Sequence, residues 1–336
     1  MRRVLVPSDI DPAGPACGGH LHTLQGRTMG TTWSVRVAGP SAPDLAQWQR
    51  GIQAQLDAVV AEMSTWEPDS DLSRFNRAPA GTWHVLPPAC FEVLMQGLDV
   101  ARRSGGACDP AAGALVNLWG FGPTLRYGEP GFKPPTAAEV HAVHRRGGWQ
   151  RLEIDAAARR VLQPGGIELD FSGIAKGFGV DRVAAYLCSR GLHDHLVEVG
   201  GELKGSGIKP DGQPWWVALE VPPSESALDE TVVALHDLSV ATSGDYRRFF
   251  EWGGSRHTHT IDPRDGWPVR NGVASVTVLH PACVLADAWS TALTVLGPDE
   301  GLELADRENL AAHTIVRDAN GRLRERWSRA FEDMMS

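Results

Sequence analysis

One stretch constrains this chain more than any other: Leu169-Asp-Phe-Ser-Gly-Ile-Ala-Lys-Gly-Phe-Gly-Val-Asp181. An apolar segment (Ile167, Leu169) passes through a glycine-containing turn into a helix. Such a helix start leaves backbone N–H groups unpaired and carries partial positive charge, so it suits an anion. Asp170, Ser172 and Lys176 crowd that start. Two readings fit them: a phosphate or metal–phosphate site, or an ordinary N-cap followed by a turn glycine. The motif alone leaves both open.

The rest of the chain reads as alternating strands and helices. Trp33–Val37 has strand alternation, and Leu45, Trp48, Ile52, Leu56, Val59 and Met63 recur at helical spacing. Asp69–Asn76 reads as a polar turn. A second helix runs through Cys90, Val93, Leu94, Leu98 and Ala101 and closes at Gly105-Gly106, and residues 120–135 form a loop. Thr136 and Glu139 make a capping-box pattern, and residues 152–162 a hairpin. After Gly177 the helix continues to Gly191. Strands follow at 195–199, 215–221, 232–235, 239–242, 256–261 and 273–279, then a helix around 284–293 and a closing hairpin, 312–316 with 323–327. The expected fold class is α+β, with mixed or antiparallel sheets flanked by helices. Residues 1–26, rich in Pro, Gly and His from residue 7, read as a flexible arm. Residues 27–330 read as one domain, with two lobes and a site between them as a variant.

Composition removes several function classes. The net charge of −9 offers no basic field for nucleic acid or an anionic membrane. Five scattered cysteines without a Cys-x-x-Cys pair argue against a disulfide framework or a thiolate zinc site, and buried free thiols are expected. No stretch approaches the ~20 apolar residues of a membrane span. Met1–Val6 carries two arginines without the roughly 7–15 apolar residues of a secretory signal. Cys17, after Gly14-Pro15-Ala16, lacks the run that a lipoprotein signal needs. The expected location is cytoplasmic, with a periplasmic, membrane-associated protein as the alternative.

Two later motifs carry chemistry. In Arg256-His-Thr-His-Thr-Ile261 the two histidines fall on one face of a strand. They suit a zinc pair, one catalytic base or a plain edge strand. In Val284–Leu293, Asp287 and Thr291 are four apart on a helix and offer hard oxygen donors of the kind Mg²⁺ accepts. The alternative makes Asp287 a helix cap and Thr291 a donor to the carbonyl four residues earlier.

Taken in order, six motifs resemble the FAD:protein FMN transferase family, the ApbE-like flavin transferases. They are Thr28-Met-Gly-Thr31; Met63-Ser-Thr-Trp66 with Ser73-Arg-Phe-Asn76; Leu115-Val-Asn-Leu-Trp-Gly-Phe-Gly122; the Asp170–Lys176 turn; His259-Thr-Ile-Asp-Pro263; and Asp287-Ala-x-x-Thr291. The resemblance spans about residues 28–327 and implies the flavin-transferase fold. It implies an enzyme that cleaves the FAD diphosphate, attaches FMN through a phosphoester to a Thr or Ser of an acceptor flavoprotein, and releases AMP. Met29, Trp66, Asp109, Pro110, Ala111, Asp170, Lys176 and Ile261 fall where the family contacts FAD. The Gly173 carbonyl, Asp287 and Thr291 are the implied Mg²⁺ ligands, and His259 is the implied base for the acceptor hydroxyl. Two positions depart from the pattern: many members have Tyr where Trp66 stands and Thr where Ala111 stands. Stacking survives the first change, and a hydroxyl contact is lost at the second. No Ser-Gly-Ala-Thr-like segment points to self-modification. An FAD pyrophosphatase and a non-catalytic FAD-binding protein are the alternative functions.

Overall fold

A computed structural model describes residues 2–7, 19–124, 126–223, 228–318 and 320–335. In chain order its first strands are β1 (Arg2–Leu5), β2 (His20–Thr28) and β3 (Thr31–Gly39). The helices α1 (Leu45–Met63) and α2 (Asp71–Asn76), strand β4 (Thr82–Val85) and helices α3 (Pro88–Arg103), α4 (Gly113–Leu118) and α5 (Ala137–His144) follow. Next come β5 (Ile154–Asp155), β6 (Arg160–Gln163), α6 (Ala175–Ser189), β7 (His195–Val199), β8 (Glu202–Ser206), β9 (Trp215–Ala218), β10 (Glu230–Leu235) and β11 (Leu238–Gly244). The chain closes with β12 (Phe249–Trp252), β13 (Ser255–Thr258), β14 (Ile261–Asp262), β15 (Trp267–Pro268), β16 (Val273–His280), α7 (Cys283–Leu296), α8 (Pro298–Arg307), β17 (Ala311–Arg317), β18 (Leu323–Trp327) and α9 (Arg329–Asp333).

The frame is an eight-stranded sheet in the order β18-β17-β16-β11-β8-β7-β3-β2, antiparallel throughout. Strand side chains alternate between faces, and the burial follows that alternation. Trp33, Val35, Val197 and Val199 meet α1 and α6 in one apolar cluster. Ala241, Val276 and Val278 meet α3 and α7 in another. Their neighbours Val240 and Leu279 point the other way, into a cluster with Leu5, Trp215, Val233 and Phe331. That second face is covered by a small sheet, β1-β10-β9, and by α9. Helices α6 and α7 therefore lie side by side on the first face, and their contact positions the site.

Most expected elements form where the periodicity puts them, and the α+β class holds. Asp44 caps α1 by accepting from Gln47 N–H at 2.9 Å, and the Thr136/Glu139 capping box is complete. Several expectations are corrected. Residues 20–26, read as part of a loose arm, form most of β2, paired along its whole length with β3 through a two-residue Met29-Gly30 turn. Both turn residues have positive φ, +48° and +70°, the geometry that matches strand twist in a tight hairpin. Residues 2–5 of the same arm pair in parallel with β10. The segment 8–18, Cys17 included, lies outside the described residues. The polar turn at Asp69–Asn76 is largely helical: Ser70 caps α2 by accepting from Ser73 N–H at 2.9 Å, a helix too short to show periodicity. The strand expected over 256–261 breaks after Thr258. Cys90 and Cys283 are buried free thiols as expected, but Cys188 is exposed and Cys108 half-buried. Among the described residues, no helix is long and apolar enough to cross a membrane.

Candidate functional site

The turn at Asp170 is built by contacts from two distant segments. Asn76, at the end of α2, donates to the Leu169 carbonyl at 2.8 Å and accepts from Leu169 N–H at 2.7 Å. Asp170 N–H donates to the Pro110 carbonyl at 2.9 Å, and Gly113 N–H to the Glu168 carbonyl at 2.9 Å. Asp109, Pro110 and Ala111 are thereby joined to Asp170. Both oxygens of Asp109 are in use, accepting from Ala111 N–H at 2.7 Å and Trp149 N–H at 3.1 Å. Burial nevertheless pushes its carboxyl up to about 6 against those hydrogen bonds. A cavity of about 400 Å³ opens here, lined by Asp109, Ala111, Gly106, Trp149 and Arg264. The Trp149 indole N–H is buried without a partner.

Asp170 does not cap α6. Its carboxylate accepts from Ser172 N–H at 2.8 Å and from the Ser172 hydroxyl, which closes the turn on itself, and the N-cap position falls on Ile174 without a side-chain bond. The cap comes from α7 instead: Asp287 Oδ2 accepts from Gly177 N–H, in the first turn of α6, at 3.0 Å. Asp287 is buried in the second turn of its own helix, so the reading that made it that helix's cap is wrong. The close approach requires glycine, because a Cβ at position 177 would lie 2.3 Å from the Cys283 carbonyl oxygen.

Thr291 faces the same point one turn later. A Cβ on Gly173 would stand 2.9 Å from Thr291 Oγ1, so the Gly173 backbone rests directly on that hydroxyl. Thr291 Oγ1 lies 3.3 Å from Ser243 Oγ. The bond to the carbonyl four residues earlier is not made; Ser290 donates to the Asp287 carbonyl at 2.9 Å instead. The implied metal donors Gly173, Asp287 and Thr291 are thus neighbours. One carboxylate, one hydroxyl and a backbone segment form a hard-oxygen set with the chemistry Mg²⁺ takes when waters and phosphate oxygens complete its shell.

Lys176 projects from the first turn of α6 between two carboxylates. Its Nζ is 2.7 Å from Glu202 Oε1 and 3.6 Å from Asp287 Oδ1. Burial opposes the charge, yet Asp287 and Glu202 hold the ammonium above the ordinary lysine value. Glu202 is itself buried, which pushes its carboxyl up while the lysine pulls it down. Sequence reading missed this glutamate because it hides at the end of a Gly200-Gly201 hairpin turn, where glycine spacing speaks only of geometry.

His259 follows the β12–β13 hairpin. Its Nδ1 is 3.1 Å from the Arg248 carbonyl oxygen, which can only accept, so Nδ1 carries the proton and Nε2 keeps its lone pair. Burial pushes its pKa down to about 4, assisted by the positive charges of Arg248, Lys176 and Arg247 and opposed by the Arg248 bond. His257 does not join it in a metal site. It is buried between Phe250 and Trp119, with ring centroids 5.0 Å and 5.4 Å away. Among the described residues, no three His, Cys, Asp or Glu side chains cluster to hold a metal.

Of the remaining expected contacts, Met29 and Ile261 pack against elements of this centre. Met29 reaches Gly179 of α6, with its Cε 3.2 Å from where a Cβ would stand. Trp66 is 46% exposed and carries the Arg126 guanidinium 5.8 Å from its ring centroid. Ile261 is buried with Leu115, Trp119 and Phe121, in the aromatic wall that also touches His259.

The chain matches the model of the ApbE family over residues 29–314. It is 35% identical to the FAD:protein FMN transferase of Salmonella typhimurium over 95% of this chain and 91% of that protein. It is 37% identical to the Vibrio cholerae protein of the same name, over 93% and 92%. Among solved structures it is similar to the apo flavinyl transferase ApbE of Pseudomonas stutzeri, with 38% identity, TM-score 0.85 and coverage of 94% of this chain and 97% of that one. The Vibrio cholerae flavin transferase ApbE gives 35% identity, TM-score 0.85 and coverage of 94% and 99%. A family match over residues 29–314, relatives more than 30% identical along nearly the whole chain and a shared fold place it: the protein is a member of the ApbE family.

Proposed function

We propose that this protein transfers FMN from FAD to a Thr or Ser hydroxyl of an acceptor flavoprotein, in a Mg²⁺-dependent reaction that releases AMP. The observation that carries this reading is the meeting of the α6 start with Asp287 and Thr291, beside Lys176, while a neutral histidine stands in the field of the same lysine. The relatives' names, which specify FAD as donor and a protein as acceptor, support it. The reading treats residues 27–330 as one transferase unit.

In this mechanism His259 Nε2 takes the proton of the acceptor hydroxyl, since a threonine hydroxyl is a weak nucleophile at neutral pH. The freed oxygen attacks the FMN-side phosphorus, a P–O bond forms, and the bridging bond to the AMP phosphate breaks. The departing phosphate takes up the proton that His259 gives back. Bound Mg²⁺ supplies a counter-charge for the diphosphate oxygens as negative charge moves onto AMP. Asp287, Thr291 and the Gly173 carbonyl would hold it. Lys176 adds a fixed positive charge beside them, and Trp66 offers a half-open ring for stacking.

The test is intact-mass analysis of an acceptor flavoprotein domain incubated with the enzyme, FAD and Mg²⁺. A gain of FMN less one water, with one AMP per event, is expected. Free FMN and AMP with no modified protein would show a pyrophosphatase instead, and uncleaved FAD a binding protein.

A further inference from the structure

The pairing of Lys176 is lopsided in a way that bears on Asp287. The ammonium is nearer to Glu202, at 2.7 Å, than to Asp287 Oδ1, at 3.6 Å. Glu202 is only 3% exposed at its side chain, and its second oxygen, Oε2, is buried without a hydrogen-bond partner. A buried carboxylate left half satisfied is unfavourable, and an apolar or amide side chain would fill the space under the Gly200-Gly201 turn at lower cost. Packing therefore does not explain this residue.

We propose that Glu202 is a positioning residue that draws the Lys176 ammonium away from Asp287 and so leaves Asp287 Oδ1 open to a divalent cation. Asp287 Oδ2 is already committed to Gly177 N–H at 3.0 Å. Oδ1 is the one oxygen left for a metal, and Lys176 is the cation placed to take it. The lysine stem runs beside the Gly200 turn, where a Cβ would lie 3.4 Å from Lys176 Cδ, so its ammonium stays within reach of both carboxylates. Without the Glu202 carboxylate, the ammonium closes onto Asp287, and both oxygens of the ligand are filled. The inference rests on the reading that Asp287 and Thr291 hold Mg²⁺.

The experiment titrates the full-length protein with Mn²⁺ at pH 8, reading free Mn²⁺ by electron paramagnetic resonance in the absence of FAD. The variants are Glu202→Gln, Glu202→Asp, Lys176→Met, the Glu202→Gln/Lys176→Met double and Asp287→Ala. Glu202→Gln is expected to weaken Mn²⁺ at least ~10-fold, and Lys176→Met to bind at least as tightly as wild type. The double variant should match Lys176→Met, because a positioning residue has nothing left to position. Glu202→Asp keeps the charge but withdraws it from Nζ and should fall between wild type and Glu202→Gln, which preserves a readout if the amide variant does not fold. Equal affinity in wild type and both Glu202 variants would overturn the proposal. So would an equal loss from Glu202→Gln in the Lys176→Met background, which would mean that Glu202 acts by its charge alone. Binding that Asp287→Ala leaves unchanged would instead overturn the metal reading itself, and this inference with it.

Discussion

A histidine can accept a proton only when it is uncharged, and His259 meets that condition by being crowded rather than by being paired with an acid. The proton on Nδ1 is fixed by the Arg248 carbonyl, and burial with three nearby cations keeps Nε2 unprotonated. The sign follows directly: the neutral form is competent, and activity falls as pH drops through the histidine's pKa. Transfer rates should therefore hold through pH 6 and decline only towards about 4, measured as kcat/KM with a fixed acceptor. An acid limb at the ordinary histidine value of ~6.5 would contradict this. His259→Ala should slow transfer by roughly 10²–10⁴-fold while FAD affinity, followed by flavin fluorescence, stays unchanged. At this scale the motif residues were legible because their chemistry is unusual for their position. Glu202 was not, since a lone glutamate after two glycines carries no signal until Lys176 is seen beside it.

Between elements, the site depends on long-range fastenings that no local pattern announces. Asp287 caps a helix that begins more than a hundred residues earlier, and Asn76 holds the Leu169 backbone from the end of a six-residue helix. Asn76→Ala would leave two half-buried backbone groups unpaired. It should lower stability by about 1–3 kcal/mol, seen as a shift in urea midpoint, and weaken FAD binding because the Leu169 backbone that leads into Asp170 is released. On the far side, Glu325 joins β18 to β1. Arg3 reaches it in two bonds of 2.6 and 2.8 Å, and His313 Nε2 lies 3.1 Å away. Burial disfavours the charged carboxylate, but these partners outweigh it and hold its pKa at about 2. A depressed carboxylate contributes stability above its ordinary value near 4.5, and that contribution is lost as pH falls towards 2. Glu325→Gln should cost about 2 kcal/mol at pH 7, measured by chemical denaturation, and nearly nothing at pH 2. The long helices were readable from apolar spacing alone. Helix α2 and the broken strand at His259 were not, because each is too short for its period to repeat often enough to show.

Across the whole molecule, the eight-stranded sheet carries α6 and α7 on one face and the small β1-β10-β9 sheet on the other. Alternation identified most of its strands but missed β2 and β8; the order β11-β8-β7-β3 also joins segments far apart in the chain, and pairing of that kind is set by core burial that a linear reading does not contain. That order sets α6 beside α7, so that the α6 start at residues 173–177 meets Asp287 and Thr291. The central claim is that Asp287 holds a metal against the diphosphate of FAD. Paramagnetic broadening of the two FAD ³¹P resonances by Mn²⁺ tests it directly, using the His259→Ala protein so that FAD stays intact. The account predicts strong broadening of both resonances, largely abolished by adding Asp287→Ala. Equal broadening with and without Asp287, in protein that still binds FAD, would contradict it.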